Sequence, residues 1–151
     1  MQLPYETIFS KTWGRINDPK ELSLDKNDLY EIYTERLHNV VGNPRVRRIF
    51  SSIELDDEIQ IMDFTLRYSV DEFSDIEFVS AVFTLGMTIE WLQPQVDSIK
   101  HTLVMLGTKE EKKLLDNHKN MIDRLDEMKT ELYKMIRDYG YMYNSYIGTE
   151  S

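Results

Sequence analysis

Apolar residues recur along this chain with two different periods, and the change of period divides it. Near the start Tyr5, Ile8, Phe9, Thr12 and Ile16 follow Pro4 at helical spacing. Proline suits a first helical turn because the N–H it lacks would be unpaired there anyway. The spacing predicts a short amphipathic helix that ends near Asn17-Asp18-Pro19. A second helix is expected behind a cap at Asp25 or Asn27, with Leu29, Ile32, Tyr33, Leu37, Val40 and Val41 on one stripe and Gly42-Asn43-Pro44 as its stop. From Arg48 to Val70 the period shortens. Ile49, Ser51, Ile53 and Leu55, then Ile59 and Ile61, alternate with mostly polar neighbours, and Phe64, Leu66, Tyr68 and Val70 repeat at every second position. Alternation sends side chains to opposite faces of an extended strand, so two short strands are expected, with Asp56-Asp57-Glu58 as their turn.

The helical period then returns. Ser74-Asp75-Ile76-Glu77 reads as a capping box, followed by Ile76, Val79, Phe83, Met87 and Trp91 along a central helix from 75 to 92. Ser80, Ala81 and Gly86 leave room beside that helix for another backbone. Pro94 is expected to force a boundary or kink before a segment carrying Val96, Ile99, Leu103 and Leu106, which Gly107 closes. Thr108-Lys109-Glu110-Glu111 reads as a further capping box. It opens the longest helix, in which Leu114, His118, Met121, Leu125, Met128, Leu132, Met135 and Tyr139 are spaced alternately four and three apart. Leu115, Ile122 and Ile136 widen this heptad seam, so it can pack on more than one partner. After Gly140 the chain is aromatic, uncharged over Tyr141 to Ile147, and too short to build a core. The expected fold is mainly α, a helical bundle with a long C-terminal helix and a short two-stranded β-hairpin insertion. One domain covers 1–139, with the extended arm at about 48–70, and 140–151 forms a tail.

Composition adjusts this picture in three ways. At 151 residues the chain fits one domain, long enough to bury roughly two-thirds of the surface its unfolded form exposes. The net charge of −9 argues against a general nucleic-acid binder, which needs clustered Lys and Arg to neutralise phosphates. Basic and acidic side chains balance between 109 and 138, so the acidity sits earlier, at Asp25, Asp28, Glu31 and Glu35 and at Asp56-Asp57-Glu58. The absence of cysteine excludes disulfides, thiolate nucleophiles and cysteine-ligated zinc. No stretch approaches the roughly eighteen apolar residues of a membrane span, and Met1-Gln2-Leu3-Pro4-Tyr5-Glu6 lacks the regions of a signal peptide. A protein made in, and remaining in, a cytoplasm is expected.

Candidate chemistry is sparse. No phosphate loop, zincin histidine pair, nucleophile elbow or calcium-loop pattern occurs. His38, His101 and His118 fall on three separate expected helices and read as packing or surface residues, with His118 a polar, register-setting member of the seam. Asp56, Asp57 and Glu58 form one acidic run without ligands arriving from elsewhere, which reads as a solvated turn and not a cation site. Arg45, Arg47 and Arg48 are the only tight basic group; they suit either phosphate or the acids of a neighbouring subunit, and subunit pairing is the preferred expectation, which assigns these three and Asp56, Asp57 and Glu58 to a subunit interface. The C-terminal residues Tyr139, Tyr141, Met142, Tyr143, Tyr146 and Ile147 combine large apolar area with no charge, a composition suited to docking on a partner. Neither catalysis nor a metal or cofactor is expected.

Three stretches together resemble a known family: the opening Leu3-Pro4-Tyr5-Glu6-Thr7-Ile8-Phe9, the central Phe78 to Gln95 with its Glu90-Trp91-Leu92-Gln93-Pro94 turn, and the closing helix to Arg137-Asp138-Tyr139-Gly140-Tyr141. They look like the small neck proteins, head–tail connectors of adaptor type, encoded beside the capsid and portal proteins of tailed bacteriophages. The resemblance implies a virion protein, present in the host cytoplasm before assembly, that forms a homo-oligomeric, dodecameric ring under the portal. It implies a C-terminal segment docked on portal protein, an opposite end that receives stopper or tail proteins, and DNA passing through the lumen without sequence-specific contacts. A neutral or acidic lumen suits that passage. The extended segment 49 to 70 departs from a minimal helical adaptor and leaves a stopper or tail-completion role open. The alternative is a small helical phage regulator or inhibitor that uses the same helices as a coiled-coil dimer.

Overall fold

The computed structural model describes residues 1–103 and 108–139, with side chains throughout except at 100–103, 108–112 and 114. In chain order the elements are β1 (Gln2–Pro4), α1 (Tyr5–Ile16), α2 (Pro19–Leu22), α3 (Lys26–Gly42), α4 (Pro44–Arg47), β2 (Phe50–Asp56), β3 (Ile61–Leu66), α5 (Glu72–Leu103) and α6 (Thr108–Asp138). The class is mainly α with a small strand insertion, as the two periods predict.

α5 is the axis. Every residue from Val82 to Thr88 is buried, and a helix that is apolar all round must be covered all round. α1, α3 and α6 pack on it. The sheet reaches it through Phe50, whose ring centroid lies 6.3 Å from that of Phe83. The polar residues inside this ring of contacts bond locally where they can, Thr88 Oγ1 donating to the Thr84 carbonyl at 2.7 Å. α3 approaches α5 closely at Gly86, where an added Cβ would stand 2.8 Å from one γ carbon of Val40.

Two expectations about α5 are corrected. Pro94 neither ends nor divides it; the helix runs through to Leu103. Pro94 is exposed while Leu92 and Val96 beside it are buried, so the lost helical hydrogen bond falls on the solvent-facing side and packing of the opposite side holds the helix. Nor is Ser74 the cap. The helix starts at Glu72, and Asp71 caps it by accepting from the Ser74 N–H at 2.7 Å and the Ser74 hydroxyl at 2.9 Å. Asp75 instead turns back and is fully buried.

The hairpin forms with its turn at the acidic run, yet the sheet has a third strand: β1 adds to the free edge of β3 with Leu3 opposite Met62, giving the order β1-β3-β2, all antiparallel. The expected phase holds along most of β2, where Ile53 and Leu55 face inward opposite Phe64 and Met62. It fails at the start, where a register shift between Phe50 and Ser52 inserts one residue, a bulge that turns Phe50 inward in place of Ser51. Phe50, Met62, Phe64 and Leu66 face the core, while Ile59 and Tyr68 are exposed at 62% and 60%.

α6 is one helix from Thr108, and its seam lies against α5: Leu125, Met128 and Leu132 are buried, with Met121 and Met135 partly so. His118 Nε2 donates to the Val96 carbonyl at 3.3 Å, a buried polar contact to the neighbouring helix of the same chain. Leu114 and the side chains of the second capping box lie outside the described residues. The widening of the seam is partial, since Ile122 and Ile136 pack on the core but Leu115 is exposed at 46%.

Two outcomes follow from this packing. Alanine at 86 gains about 1 kcal/mol of helix propensity against an overpacking cost of about 1–3 kcal/mol, so Gly86→Ala is expected to lower unfolding stability by about 1 kcal/mol. In a Val40→Ala background the loss should shrink or reverse; equal losses in both backgrounds, measured by urea unfolding, would mean the two helices do not meet there. Leu125→Asp buries a carboxylate without a partner and should cost roughly 3 kcal/mol or more. Unchanged circular dichroism and melting would show the seam to be exposed.

Candidate functional site

Arg45 and Arg47 sit on the helical turn α4, and Arg48 caps its end. Asn43 caps α4 by accepting from the Arg45 N–H at 3.0 Å, and Pro44 occupies the first turn. The Arg45 guanidinium lies 4.1 Å over the ring of Tyr133 on α6, a cation–π contact that holds α4 against the C-terminal helix. Beside it opens a groove of about 940 Å³ whose rim carries Arg45 and Arg48 from this turn and Lys134 and Arg137 from α6. Its walls are apolar and aromatic, with Ile49, Leu66, Tyr68, Phe78 and Tyr133 among them, and among the described residues no carboxylate lines it. Arg47 is not brought to this groove. It faces a smaller concavity of about 430 Å³ together with Arg48 and Arg67, again without a carboxylate among the described residues. Of the rim cations only Arg137 is in an ion pair among the described residues, with the adjacent Asp138 at 3.0 Å.

Tyr139 closes one end of the groove from inside the domain. Its ring stacks on Phe78 at 3.8 Å and 11°, and its hydroxyl donates to Asp75 at 2.6 Å. Asp75 also accepts from the Val70 N–H at 3.0 Å and from the Ser69 hydroxyl. One buried carboxylate thus joins the end of the sheet segment, the start of α5 and the end of α6. Tyr139 is a member of the domain's own packing, consistent with its place as the last heptad position. The other docking residues expected from sequence, Tyr141, Met142, Tyr143, Tyr146 and Ile147, lie outside the described residues.

The acidic turn is built more firmly than a solvated loop. Asp56 Oδ1 accepts from the Glu58 and Ile59 N–H groups at 3.1 and 3.3 Å. Gln60 takes a left-handed φ of 56°, and its carbonyl accepts from the Tyr5 N–H at 2.9 Å. Asp57 accepts from the buried Tyr5 hydroxyl at 2.6 Å and from His38 Nε2 at 2.9 Å. Asp56, Asp57 and Glu58 therefore point to different tasks, and among the described residues no group of three or more His, Asp or Glu could share a metal ion. The tethers at Tyr5 and His38 are invisible to sequence reasoning because they span 52 and 19 residues. Lys134, Arg137 and Tyr133 were equally hidden, since a heptad pattern ranks them only as outward positions.

These contacts set charge states. Burial first, and then the Asp57 carboxylate, push the Tyr5 phenol well above its ordinary 10.0. Partial burial works against it, but hydrogen bonds from Tyr5 and His38 hold Asp57 below its ordinary 3.8. A lowered carboxylate contributes stability that is complete above the unfolded value and is lost as the pH falls through the folded one; a raised phenol contributes stability that is lost as the pH rises past its unfolded value. The cluster should therefore stabilise the fold between these limits. Asp57→Asn is expected to melt earlier than wild type at neutral pH, with the gap closing as the pH falls below 3.8. A gap that stayed constant in acid would assign the effect to packing.

No family model, curated protein or solved structure matches the chain.

Proposed function

We propose that the chain is a non-enzymatic structural subunit of the head–tail junction of a tailed bacteriophage, part of a ring that links the portal to the stopper or tail and lets DNA pass. Support comes first from the resemblance of the opening, central and closing stretches to small neck proteins. The single structural observation that favours it is the separation of charge on one firmly packed body: a basic groove at one end of the β2–β3 hairpin and a tethered acidic turn at the other. A ring subunit needs two such unlike surfaces, because each copy touches two neighbours by different faces. Net acidity elsewhere agrees with a lumen that does not hold DNA. The competing reading, a regulator that dimerises as a coiled coil, would require the seam at Leu125, Met128 and Leu132, which is buried against α5.

Within this reading the uncharged C-terminal stretch from Tyr141 to Ile147 is the portal-docking element, and it follows directly on Tyr139 at the groove. Portal particles from the genome that encodes the chain are the probe. Full-length protein should co-sediment with them and appear as annular density by negative-stain microscopy, whereas a chain lacking 141–151 should stay folded and lose that binding. Tyr141→Ala and Tyr143→Ala should each weaken it by roughly 1–3 kcal/mol. A stable dimer that ignores portal particles, with or without 141–151, would favour the regulator instead.

A further inference from the structure

We infer that the basic groove at Arg45, Arg48, Lys134 and Arg137 receives the acidic β2–β3 turn of a second copy of this chain, with Ile59 entering the groove and Glu58 and Asp56 meeting its rim. The inference deepens the proposed ring and rests on that reading for its biological setting, but its chemistry stands on the two surfaces themselves.

The turn has the form of a prepared ligand. Its backbone is fixed by the Asp56 carboxylate, by the Tyr5 N–H to Gln60, and by Asp57 held between Tyr5 and His38. At its apex stands Ile59, 62% exposed, beside Glu58, whose carboxylate has no partner among the described residues. A single exposed isoleucine is ordinary on a protein surface, but one carried on a turn already ordered loses little entropy on binding. The groove matches it in both respects. It offers apolar walls for a branched aliphatic side chain and a cationic rim for carboxylates, and of the four rim cations only Arg137 is met by an acid among the described residues, the adjacent Asp138. A nucleic-acid backbone would use the cations but not the apolar walls, and would approach a chain of net charge −9.

A single chain cannot make this contact with itself. β2, seven residues long, separates the turn from the groove by about 20 Å along the strand at ~3.3 Å per residue. Groove and turn are different patches, so the contact is heterologous: each copy gives its turn to one neighbour and its groove to another. Such a contact repeats around a ring, and a two-fold pair does not use it.

Complementary variants test this. Arg48→Glu with Lys134→Glu ruins the groove and keeps the turn; Glu58→Lys with Ile59→Lys ruins the turn and keeps the groove. All four positions are exposed, and circular dichroism should match wild type for both proteins. By sedimentation velocity over a concentration series, wild type is expected to associate, more weakly as salt is raised, and each variant alone to remain monomeric. Mixed in equal amounts, the variants should form a heterodimer and nothing larger, because one intact groove and one intact turn are left per pair. Wild type that stays monomeric, variants that associate like wild type, or a mixture that stays monomeric would each overturn the contact. Loss in the groove variant alone, with the turn variant unaffected, would assign the groove to another occupant, and duplex DNA binding that is lost only in the groove variant would make that occupant a phosphate backbone; either result overturns the proposal. If the pairing holds but wild type ignores portal particles, the contact stands and the head–tail reading falls. If portal binding holds while the charge changes leave assembly untouched, the contact alone falls.

Discussion

The constraint on which the rest of the structure depends is that α5 is apolar around its whole circumference. An amphipathic helix can rest on one neighbour, but a helix buried at every position from Val82 to Thr88 has to be enclosed, and no partner helix offers more than a stripe. α1, α3 and α6 each cover one sector, and the sheet closes the remainder through Phe50 against Phe83. Gly86 shows how tight this enclosure is, since the space for its missing Cβ is already taken by Val40. The small strand insertion is thus part of the casing of α5 and not an appendage.

Enclosing α5 uses up the apolar faces, and that decides where interaction surfaces can lie. The heptad seam of α6, which in isolation looks like a coiled-coil interface, is committed to α5 through Leu125, Met128 and Leu132. What remains is at the ends. The α4 end is fixed to α6 by Arg45 over Tyr133 and, a short way off, by the Tyr139 hydroxyl on Asp75. The turn end is fixed to α1 and α3 by Asp57. Both candidate surfaces are therefore held by buried or half-buried polar contacts, the kind that fix position more than they add net stability.

How much of this the sequence reveals depends on the range of the interaction responsible. The helical period at Leu114 to Tyr139 is a local signal repeated many times, and α6 follows it from Thr108 to Asp138. The hairpin is legible for the same reason. β1 is not, because three residues carry no period and Leu3 becomes a strand residue only by pairing with Met62. Ile53 and Leu55 keep the expected phase of β2, but the inward turn of Phe50 depends on one bulge beside Ser51, which no alternation rule anticipates. Pro94 misleads because a local rule about a missing N–H is overridden by burial of Leu92 and Val96 on the opposite side. At the candidate sites the residue types are legible, the arginines and the acidic run, but their partners are not: Tyr133 lies 88 positions from Arg45 by numbering, and Tyr139 draws its role from Asp75, 64 residues away.

The two polar anchorages carry a further consequence for assembly under the proposed contact. In a heterologous interface the angle between a subunit's two faces decides whether successive copies close into a ring or run on as an open filament. Here that angle is set by how the hairpin lies relative to α4 and α6. Asp57 fixes the hairpin at its turn, and Asp75, with Ser69 and Val70, fixes the segment that leaves it. Loosening either anchor leaves the contacting residues unchanged and alters the angle between the faces. The anchoring carboxylates Asp57 and Asp75 then bear on closure, and the charges at the turn and the groove rim bear on affinity.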